Sequence, residues 1–181
     1  MPTSVSRLTQ DEGTFLALLV RVQPATAYQL SKIYAESPVS NFGTSKGKVY
    51  PMLRRLKERG LVSARAVDDG RNSEVLRCTA RGREAVRAWL KDIKSAHLLP
   101  EDPLRTMLQS FDLLSKEEQA EWIARARRGL EAKLAELEKY GATVQVPYHE
   151  QVHDNAVTSV NSRLAWLKRV EASLMGGRSR R

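Results

Sequence analysis

The 181-residue sequence predicts a mainly α-helical protein with one small β-hairpin. Three observations predict this class. Apolar stretches with helical spacing follow several capping boxes, in which a Ser or Thr precedes a Glu or Gln by three residues. One region between residues 61 and 78 has the composition of two short strands around a turn. Pro100 and Pro103 then divide the helices into two groups, because proline disfavours continuation of a helix.

Three helices are expected before the hairpin, each with a capping residue and a breaker. The caps are Thr9, Thr26 and Ser45, with Glu12 and Gln29 completing boxes for the first two, and the breakers are Pro24, Pro38 and Gly60. The third helix is predicted to run to Arg59.

The hairpin is predicted from strands at 61–67 and 74–78 joined by a turn at 68–72, where two Asp, a Gly and an Asn cluster. Thr79 then caps a helix predicted over 80–96. Three helices, a hairpin and a further helix is the order of a winged helix-turn-helix, in which the third helix enters the major groove of DNA.

The second half is predicted to be nearly all helical, with a short stretch at 104–111, a long helix opened by Ser115 and Glu118, and a last helix. Apolar residues follow a coiled-coil-like spacing on both long helices. We expect them to form a homodimer interface, with packing inside one chain as the alternative. They are Ile123, Leu130, Leu134, Leu137, Val160, Leu164, Leu167 and Leu174.

The predicted domains are therefore a winged helix-turn-helix at 1–96, a helical dimerisation domain at 97–175 and a disordered basic tail at 176–181. Charge follows this division. Residues 1–95 hold 17 basic and 9 acidic residues, whereas 96–181 hold 13 and 12. Because the net charge of +9 is concentrated in the first half, a polyanion is expected to bind there.

Cysteine usage and hydropathy restrict the class further. Cys78 is the single cysteine, which excludes an intrachain disulfide framework and a thiolate zinc site and fits a reducing cytosol. The longest apolar run, Phe15 to Val20, is far shorter than the roughly 20 residues that cross a bilayer. We expect a cytoplasmic protein with no membrane partner.

The third helix carries the strongest functional signal. Six basic residues and a single acidic residue, Glu58, lie between Lys46 and Arg59. Both this positive charge and a capped helix N-terminus favour binding of a phosphate group. A solvated charged face is the alternative. At about 100° per residue, the apolar face of this helix holds Val49, Met52, Leu53 and Leu56. The opposite face holds Gly47, Pro51 and Arg54. Lys48 and Arg55 lie at one border between the two faces, and Tyr50 and Lys57 lie at the other.

Pro51 breaks a local rule, because proline inside a helix lacks an amide donor and clashes with the carbonyl four residues earlier, here that of Gly47. We expect a bent or tightened turn that changes which side chains reach base edges. A Pro51→Ala variant with unchanged site preference would remove this hypothesis.

A family resemblance rests on these residues. Ser45-Lys46-Gly47-Lys48-Val49-Tyr50-Pro51, followed by Leu53, Leu56 and Gly60-Leu61-Val62, resembles the recognition-helix signature of PadR-type transcriptional regulators. Ala27-Tyr28-Gln29-Leu30 resembles the family's Gly-Tyr-Glu-Leu segment, and Thr79 and Gly82 resemble its Thr-x-x-Gly helix start. The C-terminal half, including Ala165-Trp166-Leu167, is similar to the helical dimerisation domain of the larger PadR subfamily. Ala27, Lys48, Leu76 and Cys78 depart from the usual residues.

The resemblance implies a homodimeric bacterial repressor that is associated with the nucleoid when it binds double-stranded DNA. The operator would be roughly palindromic, with half-sites about 10 base pairs apart or a multiple of that. No cofactor or metal is implied. The expected DNA-binding residues are Tyr28, Ser45, Lys46, Lys48, Tyr50, Arg54, Arg55, Arg65 and Arg71.

The resemblance also implies a small aromatic effector. PadR-type proteins often bind such compounds at the dimer seam, where Trp89, Trp122 and Trp166 are expected. Packing inside the core is the alternative for these three rings.

Two other functions compete with DNA binding. His149, Glu150 and His153 form a literal HExxH string, and Glu171 follows as a third ligand for a zinc-dependent hydrolase. Against it, Pro147 and Asp154 flank the string. No catalytic residue is assigned, because only one further histidine is present to act as a base. The other alternative is a basic adaptor that binds partner proteins through its C-terminal helices.

Overall fold

A computed structural model of the chain describes residues 7–40, 42–66, 73–99, 101–142 and 146–176. The chain divides into two compact units, Met1–Leu99 and Pro100–Arg181. The first unit is a winged helix and the second is helical, which confirms the predicted fold class.

The first unit contains five helices and three short strands within its described residues. In chain order these are α1 (Gln10–Val22), β1 (Ala25–Thr26), α2 (Ala27–Ala35), α3 (Lys46–Glu58), β2 (Val62–Ala66), β3 (Glu74–Cys78), α4 (Ala80–Lys91) and α5 (Ser95–Leu98). The capping boxes predicted at the starts of α1 and α2 are both present. Gly60 follows α3 with a φ of 68°, a left-handed conformation that glycine adopts without strain.

The three strands form an antiparallel sheet in the order β1-β3-β2. The predicted hairpin is confirmed, with Val62 opposite Cys78 and Ala66 opposite Glu74. The predicted turn lies outside the described residues. The sequence did not predict β1, which places Ala25 opposite Leu76 and so attaches the start of α2 to the sheet.

The core of this unit lies between α1, α3 and the sheet. The predicted apolar face of α3 is confirmed, because Val49, Met52, Leu53 and Leu56 are all buried. Burial of each such side chain stabilises the fold by about 1.5–3 kcal/mol. α4 packs on α1, where Trp89 lies so close to Gly13 that a Cβ at Gly13 would overlap the indole ring.

Two local predictions in this unit were wrong. α4 ends at Lys91 rather than at Ala96, because Asp92 leaves the helical conformation with φ −88° and ψ 76°. Its carboxylate lies 3.6 Å from the Arg7 guanidinium and 3.5 Å from the Lys94 ammonium group, so ion pairs surround the residue that follows the helix. Ser45 does occupy the N-cap of α3, but its side chain makes no capping hydrogen bond.

The second unit contains α6 (Pro103–Leu108), a 3₁₀ turn (Phe111–Leu113), α7 (Lys116–Gly141) and α8 (His149–Gly176). The capping box at Ser115 is confirmed. The stretch predicted as one helix over 104–111 instead ends at Leu108 and continues into the 3₁₀ turn. α8 extends to Gly176, and the rest of the predicted basic tail lies outside the described residues.

The eight residues expected at the homodimer interface, called the seam from here on, lie on α7 and α8. These two helices pack against each other within one chain. Leu130, Leu137, Val160 and Leu167 form the buried centre of this contact, with Leu134 and Leu164 packed against it. Ile123 is also buried, and Leu174 is half-buried. The alternative of packing inside the chain thus accounts for most of the seam.

In the part of the chain that the structure describes, every helix is too short or too polar to span a membrane.

Candidate nucleic-acid interface

The outer face of α3, opposite its buried side, consists of Gly47, Pro51, Arg54 and Glu58. Arg54 carries the long basic side chain of this face; it is 75% exposed, and its Nε lies 3.8 Å from the Glu58 carboxylate. Gly47 borders open space, because a Cβ there would meet no atom within 4 Å. The Gly47 carbonyl also lacks its usual helical donor, since Pro51 has no amide hydrogen. The face therefore combines one guanidinium group with backbone that a ligand can approach closely.

One flank of α3 is tied to the start of α1 by charge. Lys48, Arg55 and Arg59 share this flank, because seven and four residues separate them. The Lys48 Nζ atom lies 3.0 Å from the Asp11 carboxylate and 5.7 Å from the centre of the Phe42 ring. Lys48 is thereby held in place before any ligand binds.

A buried carboxylate holds the other two basic residues of that flank. The Glu12 side chain is only 3% exposed and accepts a hydrogen bond of 2.9 Å from Arg59 Nη1, while Arg55 Nε lies 3.6 Å from its other oxygen. Burial raises the pKa of the Glu12 carboxyl, but the Thr9 amide and the two guanidinium groups lower it more, so the net pKa lies below 4.5. Glu12 is therefore ionised at neutral pH.

The opposite flank is tied to the wing. The Lys57 Nζ atom donates to both oxygens of Glu74 on β3, at 2.8 Å and 3.0 Å. Lys46 on the same flank is exposed and takes part in none of the ion pairs recorded among the described residues. Much of the positive charge of α3 is thus balanced by carboxylates, and Lys46 and Arg54 are the most available cations of the helix.

A groove of about 340 Å³ lies between α2 and α3. Tyr28 and Tyr50 line it, with Lys32 and Lys46 beside them and Val49 below. Tyr28 is 73% exposed and Tyr50 54% exposed, so both rings face solvent beside α3. Of these, the sequence reasoning did not identify Lys32.

The root of the wing is fixed to the end of α3. The Thr79 hydroxyl donates to the Gly60 carbonyl at 2.8 Å and accepts from the Gly82 amide at 3.0 Å. A Cβ at Gly82 would overlap the Leu61 carbonyl oxygen, so the Thr-x-x-Gly spacing lets α4 pack directly on the backbone after α3. The root of the wing and the end of α3 are therefore held in one geometry.

The remaining predicted contacts lie at the edges of this surface. The Ser45 side chain is exposed at the start of α3, and Arg65 is exposed on β2, opposite Val75 in the sheet. Arg71 lies outside the described residues. The sequence predicts a capping role for Glu12, but it gives no sign that Asp11, Glu12 and Phe42 contact the basic side chains of α3.

The family model described as the transcriptional regulator PadR-like family matches residues 15–88, which run from within α1 to within α4. Residues 15–88 form a PadR-like domain. No curated protein matches the chain by sequence.

Solved structures extend this likeness beyond the PadR-like domain. Bacillus subtilis PadR in complex with operator DNA is 19% identical, with a TM-score of 0.75 over 90% of this chain and 98% of that one. The same protein with p-coumaric acid is also 19% identical, with a TM-score of 0.68 and the same coverage. The Vibrio cholerae virulence activator AphA is 18% identical, with a TM-score of 0.67 over 92% and 99% of the two chains. At these identities the likeness shows a shared fold.

The three tryptophans do not form one cluster within either unit. Trp89 packs into the core of the PadR-like domain, whereas Trp122 and Trp166 belong to the second unit. The rings of Trp122 and Phe111 meet edge to face, with 4.9 Å between their centroids. Trp166 packs against the core between α7 and α8. Trp89 therefore has a packing role of its own in the first unit.

The HExxH string does not assemble a zinc-protease site. His149 and His153 are half-buried, and the Nε2 atom of His149 lies 3.0 Å from the Gly141 carbonyl oxygen. Glu171 lies 18 residues beyond His153 on the same helix, about 27 Å away at 1.5 Å per residue. It pairs with Arg127. Among the described residues, no group of three His, Cys, Asp or Glu side chains is arranged to hold a metal ion.

Proposed function

We propose that this PadR-like regulator binds specific double-stranded DNA as a homodimer and represses transcription. α3 would lie in the major groove, with the hairpin over 61–78 along the backbone. The observation that carries the proposal is the outer face of α3, where Arg54 is exposed and the backbone at Gly47 borders open space. The similar structure of Bacillus subtilis PadR holds operator DNA, which supports the same use of this fold.

Roles follow from the geometry. Arg54 has the reach and the donors to read a guanine edge, whereas Ser45 and Lys46 lie at the amide-rich N-terminus of α3, which favours a phosphate. Tyr28 and Tyr50 would contact the DNA backbone or base edges beside the groove. Lys48 would exchange its carboxylate partner for a phosphate on binding. Arg55 would contact a phosphate from the side of α3 while it stays beside Glu12.

The first experiment is selection of binding sites from random duplex DNA at about 150 mM salt, where non-specific binding is weak. An enriched inverted repeat is expected. Absence of any enriched sequence would contradict the proposal and favour the adaptor alternative.

Arg54→Ala then tests the base-reading role. Loss of one bidentate contact should weaken binding to the selected operator by about 1–3 kcal/mol and leave the affinity for a scrambled duplex nearly unchanged. Fluorescence anisotropy measures both affinities. The control is Arg125→Ala, which removes the same charge from an exposed position of α7. Equal losses on both duplexes, or equal effects of both variants, would show that Arg54 acts only through its charge.

We also propose that a small aromatic compound releases the DNA by binding beside Trp122 and Trp166. One similar structure, that of Bacillus subtilis PadR, contains p-coumaric acid, which supports this proposal. Phenolic acids should change the tryptophan fluorescence and raise the melting temperature. No response to a broad panel of phenolic and planar compounds would contradict it.

A further inference from the structure

A single buried carboxylate joins the start of α1 to the end of α3. Glu12 accepts from the Thr9 amide at 3.1 Å and from Arg59 at 2.9 Å, with Arg55 at 3.6 Å. Arg59 also donates to the Arg7 carbonyl at 3.0 Å. The sequence separation between Glu12 and Arg59 is 47 residues, so this contact fixes one element against another.

The position of the contact on α3 determines what it can control. Arg55 and Arg59 are four residues apart and hold the same carboxylate from one flank of the helix. The buried apolar face directs α3 towards the core but sets its exact rotation less sharply, because hydrophobic burial has no preferred direction. Charged hydrogen bonds do have preferred directions. Rotation of α3 about its axis would therefore break the Glu12 contacts before it exposed the apolar face.

Burial of this ion pair is costly, and it is an inefficient way to gain stability. Removing a carboxylate from water requires compensation by its partners, and buried pairs often add little net stability compared with apolar residues. Glu12 already completes the capping box of α1 through Thr9. A box with an exposed Glu needs no buried arginine partner, as Ser115 and Glu118 show in α7.

We propose that Glu12 is a positioning residue for DNA recognition, which fixes the rotation of α3 so that Arg54 faces the bases while Arg55 and Arg59 stay at the side. This rests on the proposed function. Glu12 itself does not touch the DNA. Its effect is on discrimination between sequences, because non-specific binding needs only the positive charge of α3 and not its orientation.

Glu12→Gln in the full chain tests the proposal, since it keeps the shape of the side chain and removes its charge. The ratio of operator affinity to scrambled-duplex affinity should fall roughly tenfold, as for one misplaced base contact. Operator binding should weaken, while binding to the scrambled duplex should stay equal or strengthen because a negative charge has been removed. Both affinities are measured well below the melting temperature of each variant.

Thr9→Ala is the matched control, because it removes the capping hydroxyl and keeps the backbone amide, the carboxylate and both arginines. It should lower the melting temperature and leave the affinity ratio unchanged. A constant ratio in Glu12→Gln, whether both affinities rise together or only stability falls, would overturn the proposal. The same loss of ratio in Thr9→Ala would also overturn it, since any weakening of α1 would then suffice.

Failure of the proposed function looks different. In that case the wild-type chain itself would show no preference for any duplex, before any substitution was made, and the positioning role would fall with it.

Discussion

Gly47 and Gly82 both lie in helices, but the structure gives opposite reasons for the absence of a side chain at the two positions. Gly47 borders open space on the outer face of α3, so packing does not require it. Gly82 lies against backbone, where a Cβ would overlap the Leu61 carbonyl and lie 2.7 Å from the Cys78 sulfur. One glycine is therefore expected to serve binding and the other folding.

Gly47→Ala should leave the fold intact and raise the free energy of unfolding by up to about 0.5–1 kcal/mol, because alanine loses less backbone entropy in a helix. If α3 enters the groove with its Gly47 side towards the DNA, the added methyl group should weaken operator binding by about 1–3 kcal/mol. Denaturant unfolding and fluorescence anisotropy measure the two effects.

The Gly82→Ala variant is the control, because its main effect should be on the free energy of unfolding rather than on operator binding. Overlap with fixed backbone should lower the free energy of unfolding by about 1–3 kcal/mol. The added methyl group lies away from the outer face of α3, so the folded fraction should lose less operator affinity than Gly47→Ala does. Unchanged operator binding in Gly47→Ala would show that α3 does not approach the DNA at that residue.

At the scale of single helices and strands, the sequence predicted the features that depend only on residues close together in the chain. The capping boxes opened by Thr9, Thr26 and Ser115 all form, because each needs only residues three positions apart. The faces of α3 followed from helical geometry alone. Gly60 ended α3 as expected, since it can adopt a positive φ.

The elements that the sequence did not predict depend on distant partners. β1 is two residues long and exists through its pairing with β3, about 50 residues away. In the candidate site, the contact between Glu12 and Arg59 is equally remote. Local patterns therefore gave the basic face of α3 but not the acidic residues that orient it.

These partners change how the charge of α3 is understood. The sequence counts six basic residues there, but Asp11, Glu12, Glu58 and Glu74 pair with most of them. Such pairs compete with phosphate, so non-specific affinity should be lower than the charge count implies. Under the proposed function, α3 should therefore discriminate between sequences better than it binds duplexes in general.

At the scale of the whole molecule, the proposed homodimer needs a surface other than the buried centre of the α7–α8 seam. Leu130, Leu137 and Leu167 are already buried within one chain. Exposed apolar side chains in the second unit include Met107, Leu113 and Val152. Such residues are suited to contact a second copy, while the seam keeps the two long helices together.

A homodimer makes a geometric demand on the operator. Two copies related by a two-fold axis present their α3 helices on one side of the duplex, so the half-sites must lie about 10 base pairs apart or a multiple of that. Insertion of about 5 base pairs between the half-sites turns one of them to the opposite side of the DNA. Affinity for the operator with this insertion should therefore fall to that of a single half-site, as measured by fluorescence anisotropy.

An insertion of about 10 base pairs is the control, because it restores the side of the helix while it increases the separation. A flexible pair of copies would recover binding on this duplex, whereas a rigid dimer would bind it no better than the half-turn insertion, because its two α3 helices lie at a fixed separation. Equal affinity for all three spacings would show that each copy reads its half-site independently. The two-fold dimer would then be wrong, although α3 could still be the element that reads the bases.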